Sequence, residues 1–254
     1  MASLFSLSPD SHGARGEDWK WRAERMVEEQ LRRRDVTDER VLEAMRRVPR
    51  HLFVPEEYRA ESWGDFPLPI GFRQTISQPY IVGIMAELLG LGEGGGAGAS
   101  GGGGEKVLEI GGGCGYQAAV LGLLAAEVHT VEIVAPLAQE AAERLVRLGF
   151  SNVRVHIGDG RFGWPEAAPY DGILLAAAPL RVPQALFDQL RPGRRLVAPV
   201  GPINDQVLMT YEKDEKGNLR ERKIFEVRFV PLIGAETGAA ESASQSSEDE
   251  NQDR

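Results

Sequence analysis

From Lys106 onward the chain alternates short apolar runs with amphipathic ones, and this alternation constrains its fold more than any other feature. KVLEIG, EVHTVEIV, NVRVHIGDG, YDGILLAAAP and RRLVAPVG have the length and branched apolar content of buried strands. YQAAVLGLLA, PLAQEAAERLVRLGF and PQALFDQL carry helical periodicity between them. Strands joined through helical crossovers run parallel, so the pattern predicts an α/β fold: a doubly wound, mostly parallel sheet with helices on both faces. DQVLMTYEKD and LRERKIFEVRFVPL flank the turn-forming Glu215-Lys216-Gly217-Asn218 and predict an antiparallel C-terminal hairpin that completes the sheet.

The remainder reads as one domain with irregular ends. Residues 1–16 and the acidic stretch 235–254 lack periodicity and are expected to be disordered. Residues 17–234 are expected to form a single domain: an N-terminal helical portion over 17–90, a Gly-rich connection over 92–104, and a ligand-binding sheet over 105–234. Within the first portion, Trp19 to Arg34 is helical, and Thr37 is read as the N-cap of a second amphipathic helix bearing Val41, Leu42 and Met45. Prolines and aromatics crowd residues 51–72, which reads as an irregular segment; Pro79 then opens a helix that Gly90 stops.

Composition narrows the function classes. A net charge of −9 leaves no basic stripe for a phosphate backbone, so nucleic acid is not expected as a partner. Cys114 is the single cysteine, and His12, His51, His129 and His156 are scattered, which argues against a metal site. No apolar run reaches the length that spans a bilayer, and the N-terminus lacks a secretory pattern, so a cytoplasmic protein without a membrane partner is expected.

In a doubly wound sheet, ligands sit outside the carboxyl ends of the strands. The first such end is Glu109-Ile110-Gly111-Gly112-Gly113-Cys114-Gly115, where glycines let the backbone approach a ligand closely. Alone, this loop is a weak signal, since Gly113-x-Gly115-x-x-Ala118 also fits a relaxed dinucleotide fingerprint and a plain strand-to-helix turn stays open. Glu132 ends the second strand, where a carboxylate can accept from two ribose hydroxyls; Asp159 and Gly160 end the third, in reach of an adenine edge or forming an ordinary Asp-Gly turn. Glu109 separates the ligand classes, because a carboxylate there repels a pyrophosphate and suits an ammonium or sulfonium cation.

QTISQPYIV, VLEIGGGCGYQAAVLG, VHTVEI, GDG, YDGILLAAAP, LRPGRRLVAPVG and VRFVPL together resemble the protein-L-isoaspartate O-methyltransferase family, a class I S-adenosylmethionine-dependent methyltransferase family with a Rossmann-like fold. The similarity runs from about Met26 to Leu232 and includes VPRHLFVPEEY and DFPLPIGFRQTISQP. It implies methyl transfer from S-adenosyl-L-methionine, leaving S-adenosyl-L-homocysteine, to the free α-carboxyl of isoaspartyl residues in damaged proteins and peptides, by a monomer. By the same resemblance Ser77 is the active-site serine and Gln78 borders the cofactor. Glu109, Gly111, Gly113 and Gly115 form the methionine-side loop, Glu132 is the ribose acid, and Asp159 with Gly160 meets the adenine. The chain departs from the family at Gly112 and Cys114, where hydroxyl residues are frequent, at Ala176, where threonine is common, and at Ile233, where some members carry a hydroxyl residue.

Two other readings stay open on the sequence: a class I methyltransferase acting on another acceptor, and a non-catalytic nucleoside-binding protein. A nitrogen acceptor needs a route for its proton, and the fourth strand ends in the bland Ala176-Ala177-Ala178-Pro179. Cys114 reads as a small loop residue rather than a nucleophile, since no histidine accompanies it in the sequence.

Overall fold

A computed structural model describes residues 18–92 and 104–234; the expectations for the two termini and for most of the glycine run lie outside the described residues. Helix α1 (Asp18–Met26) continues into a wider π-helical segment over Val27–Arg32, and Ala23, Met26, Val27 and Leu31 are buried along it. Helix α2 (Glu39–Arg47) is capped by Asp38 rather than Thr37: the Asp38 carboxylate accepts the Arg40 N–H at 2.8 Å. Thr37 instead donates its own amide and hydroxyl to Glu87, at 2.7 and 3.1 Å.

The proline-rich stretch is more ordered than its composition predicts. Three short 3-10 turns (Arg50–Phe53, Glu56–Tyr58, Glu61–Trp63) precede a two-stranded antiparallel hairpin, β1 (Leu68–Gly71) with β2 (Gln74–Ile76). Its tip, Phe72 and Arg73, adopts positive φ of 50° and 55°, a conformation costly for side chains of this size. Helix α3 (Pro79–Leu88) follows directly, with Pro79 in its first turn.

The sheet is built from β3 (Lys106–Ile110), then α4 (Tyr116–Leu124), β4 (Glu127–Glu132), α5 (Ala135–Arg147), β5 (Val153–Ile157), β6 (Tyr170–Leu175), α6 (Gln184–Gln189), β7 (Leu190–Val200), β8 (Gln206–Lys213) and β9 (Leu219–Val227). Strand order is β5-β4-β3-β6-β7-β8-β9; the first five run parallel, and β7-β8-β9 are antiparallel. Successive residues of a strand face opposite sides. Val107 accordingly joins a core that includes side chains of α1 to α5, while Leu108 and Ile110 join a second core that includes Leu186 and Phe187 of α6. The chain leaves β3 towards β4 and β5, then returns to β6 on the other side of β3, so the crevice of the switch lies at the carboxyl end of β3.

Candidate active site

A cleft opens there, lined by the ends of β3, β4 and β6, by residues 74–77 ahead of α3, and by residues 229–233 beyond β9. The strand ends are tied to one another. Ala176 N–H donates to Ile110 O at 2.7 Å and Gly111 N–H to Val131 O at 2.9 Å. The 229–233 segment is fastened to the same rim, with Ala178 N–H donating to Val230 O at 2.8 Å and Leu232 N–H to Ala178 O at 2.9 Å.

Glu109 lies on the side of β3 opposite Leu108 and Ile110, in register with Thr130 of β4. Its carboxyl group is completely buried and borders the cleft, and no hydrogen bond of ordinary geometry reaches either oxygen, the Thr130 hydroxyl being a polar neighbour in reach. Burial, reinforced by the neighbouring Glu132 charge and opposed by the Thr130 hydroxyl, pushes its pKa up to about 8. An orphaned acid of this kind is costly to keep unless a cationic group completes it.

Glu132 is also buried, but both of its oxygens are engaged: Oε2 accepts the Gly113 N–H at 2.7 Å and Oε1 the Val134 N–H at 2.9 Å. Each oxygen retains a lone pair for a further donor. The glycine turn that it holds needs its glycines. Gly115 has φ of +87°, and an added Cβ would press on Leu145 and Ala141 of α5. At Gly112 an added Cβ would collide with the Thr130 hydroxyl.

Ser77 lines the cleft between β2 and α3, half-buried, on the same wall as Gln74 and Thr75. Gln78 does not line it; it caps α3 and lines a neighbouring groove with Tyr80 and Phe225. Gly160 lies on the cleft wall, where a Cβ would strike Ile110. The Asp159 carboxylate is turned onto Arg161, accepting its backbone N–H at 3.0 Å and its guanidinium at 2.7 Å. The cleft thus brings together Ser77, Glu109, the glycine turn, Glu132 and Gly160, while Gln78 and Asp159 lie outside its lining, the Asp159 carboxylate engaged on Arg161. Gly112, Cys114, Ala176 and Ile233, the four departures from the family pattern, all line it. Thr130, which borders Glu109 and fills the space beside Gly112, carries no sequence signal of its own; only the β3-β4 register reveals it.

Burial raises the Cys114 thiol above its ordinary pKa, and its backbone carbonyl accepts from Arg144 at 2.9 Å, which suits a packed loop residue and not a thiolate nucleophile. No group of three or more His, Cys, Asp or Glu side chains placed to hold a metal occurs among the described residues.

A seven-stranded sheet of this order, with a glycine turn and acidic strand ends around a cleft that calls for a cation, defines a class I S-adenosylmethionine-dependent methyltransferase. The family described as Protein-L-isoaspartate(D-aspartate) O-methyltransferase matches residues 21–237, and the chain belongs to it. Among relatives, a protein-L-isoaspartate O-methyltransferase 2 of Syntrophobacter fumaroxidans is 50% identical, covering 83% of this chain and 84% of that protein. A protein-L-isoaspartate O-methyltransferase of Gloeobacter violaceus is 51% identical over 82% of this chain and 96% of its own. A solved protein-L-isoaspartate O-methyltransferase superposes with a TM-score of 0.69 at 28% identity, covering 86% of this chain and 66% of that one. A Plasmodium falciparum structure in complex with S-adenosyl-L-homocysteine shares the fold at a TM-score of 0.68, over 83% of this chain and 98% of its own.

Proposed function

We propose that this cleft transfers a methyl group from S-adenosylmethionine to the free α-carboxyl of L-isoaspartyl residues in damaged proteins and peptides, the ester that begins their return to the normal linkage. The observation that carries the reading is Glu109: a fully buried, unpartnered carboxyl group at the edge of a cleft that also contains Ser77. S-adenosylmethionine, when bound, supplies a methyl group on a sulfonium that leaves as a neutral thioether. Glu109 and the Gly111–Gly115 turn would hold its methionine side, Glu132 its ribose hydroxyls through the lone pairs left on its two oxygens, and Gly160 with the Asp159 turn its adenine.

An acceptor carboxyl group with an ordinary pKa of about 4 is ionised at neutral pH, so no side chain has to remove a proton. The protein's work is alignment: Ser77 donates its hydroxyl to one carboxylate oxygen and so aims the other along the methyl–sulfur axis. Residues 229–233, fastened to Ala178, shelter the site from water, which strengthens the attraction between the anionic acceptor and its cationic partner. Supporting the wider reading are the net charge of −9, unfavourable for nucleic acid, and the lack among described residues of a helix long and apolar enough to cross a membrane; we infer a monomer working in the cytoplasm.

The test is incubation of the protein with methyl-labelled S-adenosylmethionine and a peptide pair differing only in an isoaspartyl or aspartyl linkage. Base-labile label on the isoaspartyl peptide alone is expected. Equal labelling of both would remove the repair assignment.

A further inference from the structure

Among the described residues, Arg50 is a fully buried cation that no ion pair explains. Its side chain is fully buried, yet it forms no salt bridge with any described carboxylate. Taking a guanidinium out of water is expensive unless acceptors replace the lost hydration. Here two backbone carbonyls do so in part: Nε donates to Ser62 O at 2.7 Å and Nη2 to Ser77 O at 2.6 Å. The guanidinium stands 4.7 Å from the centre of the Tyr116 ring, and Nη1 has no partner at all. Asp65, whose charge also acts on Arg50, has its carboxylate taken up by Arg34 and by the Tyr80 backbone N–H.

Those contacts join four separate segments. Arg50 begins one 3-10 turn, Ser62 lies in another, Ser77 lies between β2 and α3, and Tyr116 is the first residue of α4, next to the glycine turn. Holding the Ser77 carbonyl fixes the peptide plane that follows Ser77, and with it the placement of the Cα–Cβ bond that carries the hydroxyl. It also sets a positive charge without a paired carboxylate against the backbone of Ser77, the residue assigned to meet the anionic acceptor.

We propose that Arg50 is a positioning residue for the carboxylate acceptor, orienting Ser77 through its carbonyl while its unpaired charge favours an anion over a neutral group at the Ser77 hydroxyl. The proposal rests on the reading of Ser77 given under Proposed function. Its action is on the acceptor side of the cleft, so substitution should separate acceptor parameters from nucleoside affinity.

Steady-state kinetics on the isoaspartyl peptide, with calorimetry of S-adenosylhomocysteine binding, test this on Arg50→Lys, Arg50→Met, Ser77→Ala and the Arg50→Lys/Ser77→Ala double variant. Peptide KM should rise about tenfold or more in Arg50→Met and by less in Arg50→Lys, with nucleoside affinity within about threefold of wild type. In the Ser77→Ala background, Arg50→Lys should change kcat/KM by less than about twofold, because the hydroxyl it orients is gone and lysine keeps the positive charge. Equal losses of nucleoside affinity and kcat/KM, an unchanged peptide KM, full additivity, or failure of both single variants to fold would each make Arg50 a purely structural residue and overturn the proposal. A wild-type chain that bound the nucleoside without methylating the peptide would remove the reading of Ser77 along with it; an active wild type with unaffected variants would remove the Arg50 assignment alone.

Discussion

Glu132 accepts the backbone N–H of Gly113 at 2.7 Å, so the acid assigned to the ribose is also the clamp on the glycine turn. Removing it would cost the nucleoside twice, through the lost hydroxyl contacts and through a turn no longer held in place. Glu132→Ala is expected to weaken S-adenosylhomocysteine binding by about 100-fold, close to 3 kcal/mol, as a lost pair of charge-assisted hydrogen bonds would. Ser77→Ala should leave that affinity nearly unchanged and lower kcat by about 10- to 100-fold. Calorimetry and initial rates on both variants check this; the reverse pattern would exchange the two roles.

Gly112 and Thr130 divide one small space between them. A side chain at Gly112 would collide with the Thr130 hydroxyl, so a larger residue in this turn has no room here. Gly112→Thr is expected to destabilise the chain by about 1–3 kcal/mol through overpacking, and Thr130→Ala in the same molecule should recover most of the loss. Denaturant unfolding of the single and double variants measures it.

Glu109, with its pKa raised to about 8, holds a proton in the folded chain at pH values where the unfolded chain, with an ordinary 4.5, has lost it. The folded state binds more protons in that interval, so Glu109's contribution to stability falls as pH rises from about 4.5 to about 8. A cationic ligand reverses the preference and expels the proton. Affinity for S-adenosylmethionine should therefore climb between about pH 6 and 7.5, by at most about tenfold per unit, and Glu109→Gln should bind weakly with little slope. Titration calorimetry in buffers of different ionisation enthalpy counts the released proton directly.

His129 and His156 form a stacked pair whose Nδ1 and Nε2 atoms lie 2.9 Å apart. Because His129 Nε2 faces the Glu127 carboxylate at 3.1 Å, that nitrogen carries the hydrogen; Nδ1 is then the acceptor and His156 Nε2 the donor. Burial lowers both pKa values, His156 to about 4. The pair is neutral when folded, so its stabilisation is present above about pH 6.5 and is lost as pH falls towards 4. His156→Phe keeps the stack on Trp164 but removes the nitrogens; it should cost about 1–2 kcal/mol at pH 7 and show a shallower acid slope in melting temperature.

Strands β3 to β7 were legible because each contains an apolar run, β8 and β9 because the turn-forming residues 215–218 join them, and the order of acidic strand ends could be read along with them. The β1-β2 hairpin was not, since its strands are three and four residues long, contain Pro69 and Gly71, and turn through Phe72 and Arg73 at positive φ, which no sequence rule favours. Gln78 illustrates a different limit: the family resemblance placed it beside the cofactor, but here it stands at the N-cap of α3 and lines the neighbouring groove. Asp159 spends its carboxylate on its own turn, the outcome that Asp-Gly sequences produce by default. Arg50 escaped notice because an arginine near a helix end ordinarily reads as a solvated charge; only the burial reveals it.

Whether buried acids hold a sulfonium nucleoside is measured most directly by isothermal titration of the folded protein with S-adenosylmethionine. One site per chain with proton release near pH 7, lost in Glu109→Gln, is the predicted result. Binding by the Glu109→Gln variant as tight as that of the wild type, or no binding by a well-folded wild-type chain, would contradict it.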